Sequence, residues 1–185
     1  MTSRPPAPQA SPVQAVFLVG FMGAGKSSVG RALAARIGWP FEDLDDRIVA
    51  REGRGIEQIF RESGEPVFRR AEHEALAELV SELPSSPRVV ALGGGAFVQP
   101  DNAKLVARSG ISTVFLDGGA EELFRRCQEQ GLDRPLRKDR EQFRRLYEAR
   151  RSGYLEAGLR IDTEGKDVES VAAEIARSLR LDQGS

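Results

Sequence analysis

Lys26 and Ser27, with the glycines in front of them, are the residues of this chain most plainly arranged for chemistry. The stretch from Ala15 to Arg31 reads AVFLVGFMGAGKSSVGR, and from Gly20 to Gly25-Lys26-Ser27 its spacing fits G-x-x-x-x-G-K-[ST]. Glycines there let successive backbone N–H groups turn inward around an anion, and a helix starting near Lys26 adds its positive end. Gly23, Ala24, Gly25, Lys26, Ser27 and Ser28 form the expected nucleotide-binding set. Within it Lys26 supplies a mobile charge to the β- and γ-phosphates, Ser27 offers a hydroxyl to Mg²⁺, and Ser28 reads as a hydroxyl at the helix start. An apolar strand before the loop and an amphipathic helix after it separate the pattern from a glycine-rich turn that binds nothing. The motif says that a nucleotide binds, and leaves hydrolysis, switching and transfer open.

Four further groups bear on that choice. Asp43 and Asp45 stand one residue apart at a strand end, where continued alternation puts both carboxylates on one side. Asp43 is assigned to the metal and Asp45 to the hydroxyl that attacks the γ-phosphate. Helix capping is the competing role for Asp45, with Asp46 the plain cap. Arg69 and Glu72 share a helical face at i,i+3, which by spacing alone reads as an exposed ion pair. Gly93-Gly94-Gly95 follow an apolar strand, and two readings stand: a turn that needs positive φ, or a backbone that a ligand approaches closely. Arg134 sits in the polar, basic segment from Gly131 to Arg140, where a closing arginine stabilises charge and excludes water during phosphoryl transfer. Arg137, Lys138 and Arg140 read as a solvated charge run. His73 has no second His or Cys beside it and Trp39 reads as packing, so neither is given a chemical role.

The elements that must position these residues alternate strand and helix. RALAARIG closes the loop helix at Gly38, Phe41 to Asp43 is a short strand, helical patterning runs from Asp45 to Ala50, and Gly53 and Gly55 break it. A helix is expected from about Pro66 to Leu79, with further strands at Arg88 to Leu92 and Thr113 to Leu116. Such alternation predicts an α/β fold with a parallel sheet, helices on both faces, and ligands at the carboxyl ends of the strands. The phosphate loop, the Asp43–Asp45 pair, the triple glycine and Asp117-Gly118-Gly119 all follow strands.

Taken in order, these motifs resemble shikimate kinase from Phe17 to about Thr163. The resemblance lies in GFMGAGKSSVGRALAARIGWPFEDLDDRI, GIEQIFRESGEPVFRRAE, the triple glycine, DRPL around Arg134, and the spacing of Arg150 and Tyr154. It implies a three-layer P-loop NTPase fold of the nucleoside-monophosphate kinase type, with a substrate-binding region near residues 44–75 and a lid near 131–140. It implies transfer of the γ-phosphoryl group of MgATP to the 3-hydroxyl of shikimate, in the pathway to chorismate and the aromatic amino acids. By position Asp45 is then the base and holds ring hydroxyls, and Arg69 and Arg150 clamp the shikimate carboxylate. Gly93, Gly94 and Gly95 let backbone approach the substrate. Lys26 and Arg134 neutralise the transferring phosphate, Ser27 and Asp43 serve Mg²⁺, and Arg126 lies near the adenine, with Lys166 a further occupant of that side. The chain departs from the family pattern at Arg137, where a second leucine usually follows Leu136, and at Ser152, where proline is common.

The composition bounds the rest. At 185 residues, with 27 basic against 28 acidic side chains, the chain suits one domain over residues 15–183 and carries no basic field for nucleic acid. Residues 1–14, rich in proline, read as a disordered leader. No apolar run approaches the roughly 18 residues of a membrane span, and the single Cys127 excludes an internal disulfide. A cytoplasmic monomer acting on shikimate and ATP is expected. The alternatives are a kinase for another carboxylated polyol, aminoshikimate or gluconate, and a non-catalytic nucleotide-binding module.

Overall fold

Ala15–Val19 (β1) is buried along its whole length, as a strand flanked by neighbours and covered on both faces must be. It is the middle of a five-stranded parallel sheet whose order is β2-β3-β1-β4-β5, with β2 Phe41–Asp43, β3 Arg88–Ala91, β4 Ser112–Asp117 and β5 Leu159–Asp162. Phe17 pairs with Val90 on one side and Thr113 on the other, so β1 carries the register of the sheet. The computed structural model describes residues 13–129 and 139–182. Arg134, Arg137 and Lys138 lie outside the described residues, as do most of the expected lid and leader.

Strand order decides which face each helix covers. With right-handed crossovers, the step from β1 back to β2 puts α1 (Lys26–Ile37) on one face. The later steps run the opposite way, so α2 (Leu44–Glu52), α3 (Ile56–Glu82), α4 (Pro100–Ser109), α5 (Ala120–Glu129) and α6 (Arg140–Tyr154) cover the other face. The packing agrees: α7 (Val168–Ser178) lies on α1, α2 and α4 on α3, and α5 on α6. Three layers result, as the sequence implied.

The boundaries follow local chemistry. Gly38 at φ 69° ends α1, Gly53 at φ 66° ends α2, and Gly55 opens α3. The expected helix from Pro66 is the second part of a longer one. Gly64, at φ 79° and ψ 171°, interrupts α3, and Pro66 stands in the first turn after the interruption, where its missing N–H costs nothing. One expectation changes, and one strand goes unread. Arg140 is not in a flap: Asp139 caps α6 by accepting from the Gln142 N–H at 3.0 Å, and Arg140 is its first residue, paired with Glu121. The strand β5, four residues with two exposed charges, carries no alternation strong enough to read.

Candidate active site

The phosphate loop is shaped by what stands against it. Gly23 has φ 80° and Gly25 φ 82°, and a Cβ at Gly23 would lie 2.6 Å from the Leu123 carbonyl oxygen and 2.8 Å from Cys127 Sγ, so α5 forms the back of the loop. Ala24 is buried between them and Ser28 is exposed in the first turn of α1. Lys26 Nζ donates to the carbonyl oxygens of Gly20 and Phe21, each at 3.0 Å, which lays the ammonium across its own loop. Cys127, buried, packs there as a small apolar group.

Ser27 Oγ donates to Asp43 Oδ2 at 2.6 Å, while Asp43 Oδ1 accepts from the Asp45 N–H at 3.0 Å. Asp43 is therefore the N-cap of α2, and Asp46 is not. The expected strand alternation also stops there, because the chain turns helical at Leu44. Asp45 reaches the acceptor side from the first helical turn instead: a Cβ built on Gly93 would lie 2.7 Å from Asp45 Oδ1. One carboxylate thus ties the loop hydroxyl to the helix that carries the other.

Beside the loop opens a cleft of about 700 Å³, lined by Met22, Asp45, Arg69, Glu72, the three glycines and Arg150, with Ile56, Phe60 and Phe68 as an apolar wall. Arg69 donates to Glu72 at 2.9 Å and to Glu65 at 3.2 and 3.1 Å, and its guanidinium lies 5.1 Å from the Phe68 ring. Glu72 is 1% exposed and Arg69 partly so, so the acid of this pair is buried and not exposed as spacing suggests. Burial pushes the Glu72 carboxyl up, against the pull of Arg69. Arg150 Nη1 approaches the Gly94 carbonyl at 3.5 Å, and Tyr154, four residues on, donates its hydroxyl to the same oxygen. The Tyr154 phenol is pushed up to about 12 by burial, which keeps it a donor throughout the neutral range.

A sequence profile of the shikimate kinases matches residues 22–180. The chain belongs to the shikimate kinase family. The shikimate kinase of Geobacter metallireducens is 46% identical over 168 residues, 89% of this chain and 91% of that one, and the shikimate kinase of Geobacter sulfurreducens is 44% identical over 171 residues, 91% and 92% of the two chains. Among solved structures, shikimate kinase from Acinetobacter baumannii in complex with shikimate superposes with a TM-score of 0.82 at 33% identity, covering 94% of this chain and 96% of that chain. The fold is therefore that of an α/β P-loop kinase, and the activity is that of shikimate kinases, an ATP-dependent phosphorylation of an alcohol group. The gluconate, aminoshikimate and non-catalytic alternatives are not favoured.

Within the shikimate kinase framework, the structure brings Asp45, Arg69, Gly93, Gly94, Gly95 and Arg150 to one cleft and Gly23 through Ser28, with Asp43, to its edge. Arg126 lies elsewhere on α5, held by Glu122 at 2.9 Å, and Lys166 pairs with Glu174 at 2.7 Å. Sequence reading missed the apolar wall, although Ile56 and Phe60 stand at i,i+4 in IEQIF. It also missed the burial of Glu72, whose helical neighbours Phe68, Ala75, Leu76 and Leu79 form a continuous apolar stripe around a charge.

Proposed function

We propose that this chain transfers the γ-phosphoryl group of ATP to the 3-hydroxyl of shikimate, with Asp45 holding and deprotonating that hydroxyl. The observation that carries the residue assignment is the single cleft in which Asp45, Arg69, Arg150 and the glycine turn converge beside the phosphate loop. Two arginines on separate helices suit a planar carboxylate, which each can meet with paired N–H donors. Gly94 lines the same cleft with backbone alone, and a wall of Ile56, Phe60 and Phe68 suits a carbon ring. A solved relative bound to shikimate supports the choice of acid.

Phosphoryl transfer asks mainly for positioning and charge stabilisation. Gly23 to Ser28 hold the phosphates, Lys26 swings from its own loop carbonyls to the γ-phosphate, and Arg134 adds charge from the lid. Ser27 and Asp43 offer two hard oxygen donors 2.6 Å apart, a set that fits Mg²⁺, which keeps most of its waters and takes few protein ligands. Bound there, the ion neutralises charge on the phosphates. Arg126 and Lys166 are proposed for the adenine side. A cytoplasmic monomer completes the reading, the single cysteine fitting a reducing compartment. No helix among the described residues is long and apolar enough to cross a membrane.

A coupled ATP assay against shikimate, quinate and gluconate tests the acceptor: turnover is expected with shikimate, and none with it overturns the reading. Asp45→Asn tests the base. Its turnover should fall about 10²–10⁴-fold while ATP binding is kept, and equal turnover removes Asp45 from that role.

A further inference from the structure

Three consecutive glycines give the acceptor turn no side chains with which to hold its own shape, yet its backbone must stay in register with Arg69. A Cβ at Gly95 would lie 2.9 Å from both terminal nitrogens of Arg69, so turn and guanidinium are in close contact. From the α6 side the turn is held at Gly94 by Tyr154 and Arg150. On the α4 side Asn102, 1% exposed, donates from Nδ2 to the Ala96 carbonyl at 3.0 Å. A buried amide placed on a glycine turn is costly unless both its ends are satisfied. The other end is: Asn102 Oδ1 lies 2.7 Å from His73 Nδ1. Because the amide nitrogen is committed to Ala96, the oxygen must accept, and His73 carries its hydrogen on Nδ1.

His73 is on α3, one helical turn after Arg69 and next to Glu72. The chain His73, Asn102, Ala96 therefore closes a loop between the helix that presents the carboxylate clamp and the turn that faces it. We infer that Asn102 and His73 are positioning residues for the acceptor site, setting the spacing between Arg69 and the Gly94–Gly95 backbone without touching the substrate. Neither residue lines the cleft. The inference rests on the reading that this turn and Arg69 meet the acceptor.

The test is steady-state kinetics with shikimate and ATP varied separately. Asn102→Leu should raise the KM for shikimate about five- to tenfold, the worth of one hydrogen bond, and leave the KM for ATP within twofold. His73→Phe should do the same to a smaller degree, and His73→Asn, whose Nδ2 stands where the histidine Nδ1 does and can still donate, should restore it. The double variant His73→Phe/Asn102→Leu should be no worse than Asn102→Leu alone, because the two act through one path. An unchanged KM for shikimate in both single variants, or equal movement of both KM values, overturns the inference. Should Asn102→Leu fail to fold, half-buried His73 carries the test by itself. Arg69→Ala run alongside separates the two claims: if it too leaves the shikimate KM unchanged, the acceptor assignment is what fails.

Discussion

Glu72 shows how one side chain can be legible in type and misleading in setting. Its spacing from Arg69 is that of many surface pairs, but it sits 1% exposed within the acceptor cleft, with Arg69 2.9 Å away. Desolvation lifts its carboxyl above the ordinary value of 4.5, with Arg69 opposing and the nearby Asp45 adding to the rise. The sign of the linkage follows. A carboxyl raised in the fold contributes its full share to stability below 4.5 and loses it as pH rises through the folded value. Glu72→Gln removes that loss, so its stability relative to the native chain should increase between pH 4.5 and neutrality in urea titrations. A gap that is flat or shrinks over that range would show that Arg69 outweighs burial.

At the scale of elements, the loop and α5 are built as one surface. Gly23 and Gly25 both have positive φ, but only Gly23 faces backbone: its nearest atom is the Leu123 carbonyl oxygen at 2.6 Å, whereas the nearest to Gly25 is a Val29 methyl at 4.0 Å. Gly25→Ala should cost about 1–2 kcal/mol of left-handed strain. Gly23→Ala adds a clash with a carbonyl that cannot rotate away, so its drop in melting temperature should be clearly larger. Equal drops would mean that α5 gives way. The phosphate motif places both glycines, but says nothing of a helix more than ninety residues later lying behind one of them. The same holds for α2, whose cap is Asp43: the motif reader sees two acids on a strand, and only the turn into a helix at Leu44 shows that one acid caps the helix bearing the other.

Across the molecule, the acceptor region interrupts the sheet without leaving it. The chain passes from β2 through α2 and α3 and returns as β3, which pairs with both β2 and β1, so the region near residues 44–75 is anchored at both ends in one sheet. Unfolding should accordingly be a single transition. Trp39, the only tryptophan, lies between α1 and β2 and reports tertiary loss there, while far-ultraviolet circular dichroism reports the helices. Coincident urea curves are expected, and an earlier loss of helix signal would show the acceptor region melting separately.

What the sequence determined by itself is local: a phosphate loop, glycine stops at Gly38 and Gly53, four of the five strands, β1 to β4, and the identities of the charged residues that a kinase needs. These are set within a few residues of one another, by φ preference and periodicity. The edge strand β5 and the start of α6 escaped because four half-exposed residues and a capped charge run carry little local pattern. Which residues meet was decided by the parallel strand order, since it brings Asp45, Arg69, Gly94 and Arg150 together from four separate segments. Burial decided the rest. Tyr154 and Asn102 take their character from desolvation and from a hydrogen-bond partner on another element, and Glu72 from desolvation and a partner three residues back on its own helix.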